Sequence, residues 1–86
     1  MEGDLQRTVG RNIRAIRQAR GLSQEAAADL LEHHRTYQGG LERGQRNISL
    51  RAVERLAAKL GVDPYALLSP DMTIEVDVRV STDRDG

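Results

Sequence analysis

Several residue types that shape small domains are missing from this chain of 86 residues. It has no cysteine, no phenylalanine and no tryptophan, and it has two tyrosines. Without cysteine, neither a disulfide nor a thiolate metal site can form. The hydrophobic core therefore has to be built from aliphatic side chains. The N-terminus contains no apolar run that would make a signal peptide or a membrane segment, so we expect a cytoplasmic protein with no membrane partner.

Net charge is also lacking, but the charges are unevenly distributed along the chain. Residues 1–4 carry a net −2, residues 5–61 a net +6 and residues 62–86 a net −4, which together give zero. A basic body with an acidic tail is typical of a domain that turns one side to phosphate. A mixed solvated surface is the alternative interpretation.

Helical periodicity dominates the first 68 residues. Apolar residues recur three and four positions apart in three stretches, namely Leu5, Val9, Ile13 and Ile16; Ala27, Leu30 and Leu31; and Leu50, Val53, Leu56, Ala57 and Leu60. Ser23, Ser49 and Asp63 are good helix N-caps, and Gly21 and Gly61 stand where C-terminal caps belong. These signals predict five short helices within one domain over residues 5–68.

The spacing of apolar residues changes in the C-terminal tail, over residues 71–80. Its apolar residues alternate with polar ones, so that one face carries Ile74, Val76, Val78 and Val80, as in a β-strand. A lone strand leaves its backbone groups unsatisfied, so we expect residues 71–80 to pair with the same strand of a second copy. Docking on the helices or disorder are the alternatives, and residues 81–86 are expected to be disordered. The predicted fold class is all-α, with five helices and one short C-terminal strand paired between subunits.

The stretch over residues 21–50, GLSQEAAADLLEHHRTYQGGLERGQRNISL, places two short helices around a tight turn, followed by glycine and a basic loop. It resembles the Cro-like phage-repressor family of helix-turn-helix DNA-binding domains. Within that family it is similar to controller proteins of restriction–modification systems and to small actinobacterial-type regulators. The resemblance spans residues 9–68. It implies a sequence-specific transcriptional regulator that binds a pseudo-palindromic operator in double-stranded DNA as a homodimer.

The resemblance also implies roles for individual residues. The third helix is similar to the family's recognition helix, which lies in the major groove. The base contacts implied are Arg35, Thr36, Gly39 and Gly40, and the phosphate contacts are Gln24, Tyr37, Arg43, Arg46 and Asn47. Arg17 and Glu42 match positions that form a structural ion pair. Partial burial of Tyr37, and a helix break at the two glycines, remain open as alternatives.

Some positions depart from the family pattern. Glu32-His33 stands where a glycine and an apolar residue are usual, and a left-handed glutamate is strained. Ala27 stands where a large apolar residue is usual, and Gln38 where an apolar residue is usual. A buried histidine or glutamine needs hydrogen-bond partners, and we expect His33 and Gln38 to bond to each other.

Other classes of function have less support. His33 and His34 are adjacent and point in different directions, and no set of residues forms a catalytic triad or a phosphate loop. We therefore expect no enzyme, no catalytic residue, no metal and no cofactor. The remaining alternative is an antitoxin-type interaction module, whose C-terminal strand would add to the sheet of a protein partner.

Overall fold

The computed structural model describes residues 2–74 and the backbone of residues 80–82. The elements are α1 (Asp4–Ala19), α2 (Gln24–Leu31), α3 (Arg35–Glu42), α4 (Leu50–Leu60), α5 (Pro64–Leu67), β1 (Met72–Ile74) and β2 (Val80–Thr82). The prediction of five helices is confirmed. In this described part, every helix is too short or too polar to cross a membrane.

Three of the helices, α2, α4 and α5, begin directly after the residues predicted to cap them. The side chains of Ser23, Ser49 and Asp63 each accept a hydrogen bond of 3.0 Å from a backbone N–H in the first turn that follows. Such a bond satisfies one of the backbone donors that every helix start leaves unpaired. Gly61 ends α4 with φ 70°, a left-handed conformation that a residue without Cβ adopts freely.

The core is aliphatic and draws on all five helices. Its buried members are Val9, Ile13, Ile16, Leu31, Leu41, Val53, Leu56, Ala57, Leu60 and Leu67. Three leucines expected on buried faces are instead exposed, with 63% of Leu5, 42% of Leu30 and 72% of Leu50 accessible to solvent. Leu5 and Leu50 stand in the first turns of their helices, past the edge of the core. In α2, Ala28 is buried in place of Leu30.

The backbones of α1 and α3 touch at Gly10. A Cβ atom added there would lie 2.2 Å from the carbonyl oxygen of Leu41 and 2.8 Å from that of Glu42. Both distances are far inside van der Waals contact, so only glycine permits this packing. The approach fixes the distance of α3 from the long first helix.

Asn12 is a buried polar residue that sequence reasoning did not single out. Its side-chain amide donates to the carbonyl oxygens of Leu67 at 3.0 Å and Ser69 at 2.8 Å. The Leu67 carbonyl is at the C-terminus of α5, where helices leave carbonyls without a helical partner, and the Ser69 carbonyl just beyond it also accepts from the N–H of Met72 at 3.3 Å. Asn12 thereby ties the end of the helical domain to α1.

The C-terminal segment corrects two expectations. Instead of one strand over residues 71–80, β1 pairs antiparallel with β2 within the chain, in the register Met72 with Thr82 and Ile74 with Val80. The pair satisfies the backbone groups on the facing edges of β1 and β2 within the chain, and the expected pairing with a second copy or with the sheet of a partner stays untested. Ser81 and Thr82 belong to β2, so ordered structure extends into the segment expected to be disordered. Val76 and Val78 lie outside the described residues.

Replacing Gly10 with alanine tests the contact between α1 and α3. The added methyl group meets backbone atoms that cannot rotate away, so we expect Gly10→Ala to destabilise the fold by about 2–3 kcal/mol. Urea denaturation followed by circular dichroism measures this change. Gly39→Ala is the control, because its Cβ would meet the flexible guanidinium of Arg43, and alanine favours helix by up to about 1 kcal/mol. Equal midpoints for Gly10→Ala and the unaltered chain would contradict the tight packing.

Candidate nucleic-acid interface

The turn between α2 and α3 has the unusual backbone that the sequence predicts. Glu32 ends α2 in the left-handed region, with φ 60° and ψ 44°, where a side chain crowds the following carbonyl. Its carboxylate forms an ion pair with Lys59 of α4. The hydrogen bond and the charge of Lys59 lower the pKa of Glu32. The strained turn is thereby tied to a helix outside the motif.

The first turn of α3 projects from the surface. His34 caps the helix, with Nδ1 accepting from the N–H of Thr36 at 3.4 Å. Arg35 and Thr36 are both exposed, and the Arg35 guanidinium lies 3.9 Å from the Glu25 carboxylate, a distance typical of a weak surface pair. Two of the four residues expected to contact bases, Arg35 and Thr36, therefore stand exposed at the start of α3.

Two arginines cover the outer face of α3. The helix continues through Gly39 and Gly40, so these residues do not break it. Arg43 passes 3.1 Å from the position of a Cβ on Gly39, and Arg46 passes 2.7 Å from that on Gly40. Both glycines are buried beneath these side chains. Contact of the glycine backbone with a base would require the arginines to move aside.

Tyr37 lies half-buried against the core, as one of the two sequence alternatives predicts. Its ring centroid lies 4.9 Å from that of His33 and 5.3 Å from the guanidinium carbon of Arg46. The second contact has the distance of a cation–π interaction. Tyr37 therefore links the turn before α3 to the basic loop after it.

The structure brings Arg17 and Glu42 together in a bidentate ion pair. The two bonds measure 2.7 Å and 3.0 Å, and 12% of the Arg17 and 3% of the Glu42 side chain are exposed. Gln38 and Gln24 also donate to the carboxylate, at 2.7 Å and 3.2 Å. Burial raises the pKa of Glu42, but the hydrogen bonds from Arg17, Gln38 and Gln24 outweigh it, so the pKa is lowered overall.

The remaining expected phosphate contacts lie in the loop after α3. Arg43, Arg46 and Asn47 are exposed, and Arg43 donates to Gln45 at 3.0 Å. Gln24, by contrast, is partly buried and uses its amide on Glu42. Within residues 2–74, no three metal-binding side chains of the His, Cys, Asp or Glu type gather at one point.

Gln6 is a loop-positioning residue that sequence reasoning missed. Its amide donates to the carbonyl oxygen of Arg46 at 2.9 Å and to Oδ1 of Asn47 at 2.6 Å. Gln6, Gly10 and Arg17 are spaced four and seven positions apart, which places them on one face of α1. This spacing was the sequence signal that could have identified Gln6, because all three residues contact α3 or the loop after it.

Two helices joined by a tight turn, with an exposed start on the second, define the helix-turn-helix class. Residues 13–67 match the family model described as Helix-turn-helix, and the chain belongs to that family. Control protein C.BamHI of Bacillus amyloliquefaciens is 39% identical over 69 residues, which are 79% of this chain and 85% of that protein.

Two solved structures share the fold and much of the sequence. The restriction-modification controller protein C.AhdI from Aeromonas hydrophila has 46% identity and a TM-score of 0.63, covering 71% of this chain and 92% of that one. The hypothetical transcription factor NHTF from Neisseria has 41% identity and a TM-score of 0.72, covering 81% and 80%. The predicted resemblance to controller proteins is confirmed.

Neutralising Glu42 tests the buried ion pair. Glu42→Gln leaves the Arg17 guanidinium without a carboxylate, so we expect a loss of about 3 kcal/mol of unfolding free energy at pH 7. Glu25→Gln, which breaks the exposed pair with Arg35, is the control and should change stability by less than about 0.5 kcal/mol. Equal losses for the two variants would contradict the role given to burial.

The pH dependence follows from the lowered pKa of Glu42. Its contribution to stability is present above its ordinary pKa of 4.5 and is lost as the pH falls through the lower value in the folded state. The unfolding free energy should therefore decline in acid below about pH 4.5, and Glu42→Gln should remove part of that decline. Urea titrations between pH 7 and pH 3 measure it, and an unchanged pH profile in the variant would exclude Glu42 as a source.

Proposed function

We propose that this protein is a sequence-specific transcriptional regulator that binds double-stranded DNA as a homodimer. The observation that carries the proposal is the exposed first turn of α3, where Arg35 and Thr36 project beyond the motif. A recognition helix uses these N-terminal positions against base edges in the major groove. Relatives with names such as control protein and transcription factor support the same function.

The exposed residues divide into two proposed roles. Arg35 bonds the O6 and N7 atoms of a guanine, and Thr36 contacts a neighbouring base. Gly39 admits a close approach of the helix backbone to DNA once Arg43 moves aside, whereas Arg46 occupies the space over Gly40.

The phosphate contacts fix the protein on the duplex without reading sequence. They are proposed to come from Gln24, Tyr37, Arg43, Arg46 and Asn47. Within the described residues, Arg43 and Arg46 take part in no ion pair, so their charges are available to phosphate. Gln24 retains a second amide hydrogen beside the one that binds Glu42. Affinity should therefore fall steeply as salt is added.

A homodimer explains the exposed apolar side chains of α4 and α5. Leu50 and Tyr65 are 72% and 75% exposed, and they flank a groove of about 260 Å³ that Val53, Pro64 and Leu68 also line. Since β1 and β2 pair within the chain, this face replaces the C-terminal strand as the proposed contact between copies. The proposed dimer reads a pseudo-palindromic operator, with its two recognition helices in successive major grooves about 34 Å apart.

The division of roles is tested by DNA binding of single variants. Arg35→Ala should weaken binding to the operator by about 10- to 100-fold and leave binding to unrelated duplex nearly unchanged. Arg46→Ala should weaken both and lower the slope of log affinity against log salt by about one. Fluorescence anisotropy with the gene's own upstream region measures both quantities. Equal losses on both DNAs for the two variants would overturn this division.

The proposed dimer contact is tested by charge insertion. Leu50→Glu and Tyr65→Glu should shift the protein from dimer to monomer in sedimentation velocity, with circular dichroism unchanged, because a buried unpaired carboxylate is costly. Leu5→Glu, another exposed leucine, is the control and should leave the dimer intact. A dimer that survives both substitutions would place the contact elsewhere.

A further inference from the structure

Polar contacts continue from the buried ion pair to the turn before α3. Gln38 is fully buried, and its Nε2 donates to Glu42 at 2.7 Å. The amide orientation leaves Gln38 Oε1 as the acceptor, so the hydrogen bond between His33 and Gln38 has His33 Nε2–H as the donor. The imidazole is held by a group that is itself bound to Glu42.

The held imidazole packs against the tyrosine of α3. The His33 and Tyr37 rings are 4.9 Å apart, with planes inclined at 57°. The aromatic ring of Tyr37 is also the platform for the Arg46 guanidinium, at 5.3 Å. Gly40 leaves the space for this conformation, since a Cβ there would lie 2.7 Å from Arg46 Nε. Arg46 is thereby folded across the outer face of the helix.

We propose that His33 is a positioning residue that sets, through Tyr37, where Arg46 presents its charge to DNA. The proposal rests on the DNA-binding function above. Arginine has many rotamers, and a side chain already held in its bound conformation loses less entropy on binding. His33 supplies one wall of the Tyr37 site, and its bond to Gln38 connects that wall to Glu42. The Nε2–H of His33 is committed to Gln38, so in this proposal His33 acts through Tyr37 and does not donate that hydrogen to DNA.

Two matched double variants, used as backgrounds for Arg46→Ala, distinguish a positioning role of His33 from a role in folding. His33→Leu alone leaves Gln38 Oε1 unsatisfied in the core, which destabilises the fold. The pairs His33→Leu with Gln38→Leu and His33→Phe with Gln38→Leu remove both polar partners and differ only in the ring beside Tyr37. Glu42 keeps its bonds to Arg17 and Gln24 in both. Thermal unfolding establishes that the two backgrounds are equally folded at the assay temperature.

Arg46→Ala is then introduced into the unaltered chain and into each background, and affinity for the operator is measured against salt. In the leucine background we expect binding to fall about fivefold and the cost of Arg46→Ala to shrink by a similar factor. The salt slope should also fall by about one before Arg46 is removed. The phenylalanine background should remain close to the unaltered chain. A purely structural role would lower the melting temperature and leave the cost of Arg46→Ala unchanged.

A measurement on the protein without DNA tests the positioning role of His33 separately from the proposed DNA-binding function. In the proton NMR spectrum of the free protein, the Arg46 Nε–H resonance should lie upfield, because the guanidinium stacks on Tyr37. Its chemical shift should move toward that of an unstructured arginine in the leucine background alone. If the unaltered chain prefers its operator but Arg46→Ala costs the same factor in every background, the positioning proposal is overturned. If the unaltered chain shows no preference for any sequence, the proposed function fails, while the Arg46 signal still reports whether His33 orders that side chain.

Discussion

The buried carboxylate of Glu42 accepts hydrogen bonds from side chains of three different helices, and the orientation of the motif depends on it. Arg17 reaches it from α1, Gln24 from α2 and Gln38 from α3 itself. A buried charge is tolerated only when its partners stay in place, so the three helices are held in one relative arrangement. Within residues 2–74, every buried side-chain nitrogen and oxygen, those of this network included, has a hydrogen-bond partner.

The proposed DNA-binding surface is built outward from that network. Gly10 allows α3 to touch α1, which places the end of α3 within reach of Arg17. Gln6 holds the following loop, and the ion pair of Glu32 with Lys59 ties the strained turn to α4. The exposed side chains proposed to contact DNA thus stand on backbone that the core positions at both ends of α3. This arrangement suits a reading surface, because rigid support limits the entropy lost on binding.

Much of the helical domain could be predicted from residues near one another in sequence. The caps at Ser23, Ser49 and Asp63 and the periodicity of the core residues are local signals, and the structure follows them. The prediction was wrong for the C-terminal segment, where alternation indicated one strand over residues 71–80. Alternation shows that a segment is extended, but it does not show where the chain reverses or which strand lies beside it. Leu50 was likewise assigned to the core by spacing alone, although it lies at the edge of the helix stack.

The sequence by itself determined the number of helices, the starts of α2, α4 and α5, the left-handed turn at Glu32 and the ion pair of Arg17 with Glu42. Capping, helical spacing and the resemblance to a family suffice for these, since each depends on a short pattern. Only the tertiary structure decided that Asn12 ties α1 to α5, that the arginines cover Gly39 and Gly40, and that His33 lies against Tyr37. Those contacts depend on how close separate helices approach and on which way long side chains turn, and packing of the whole core sets both.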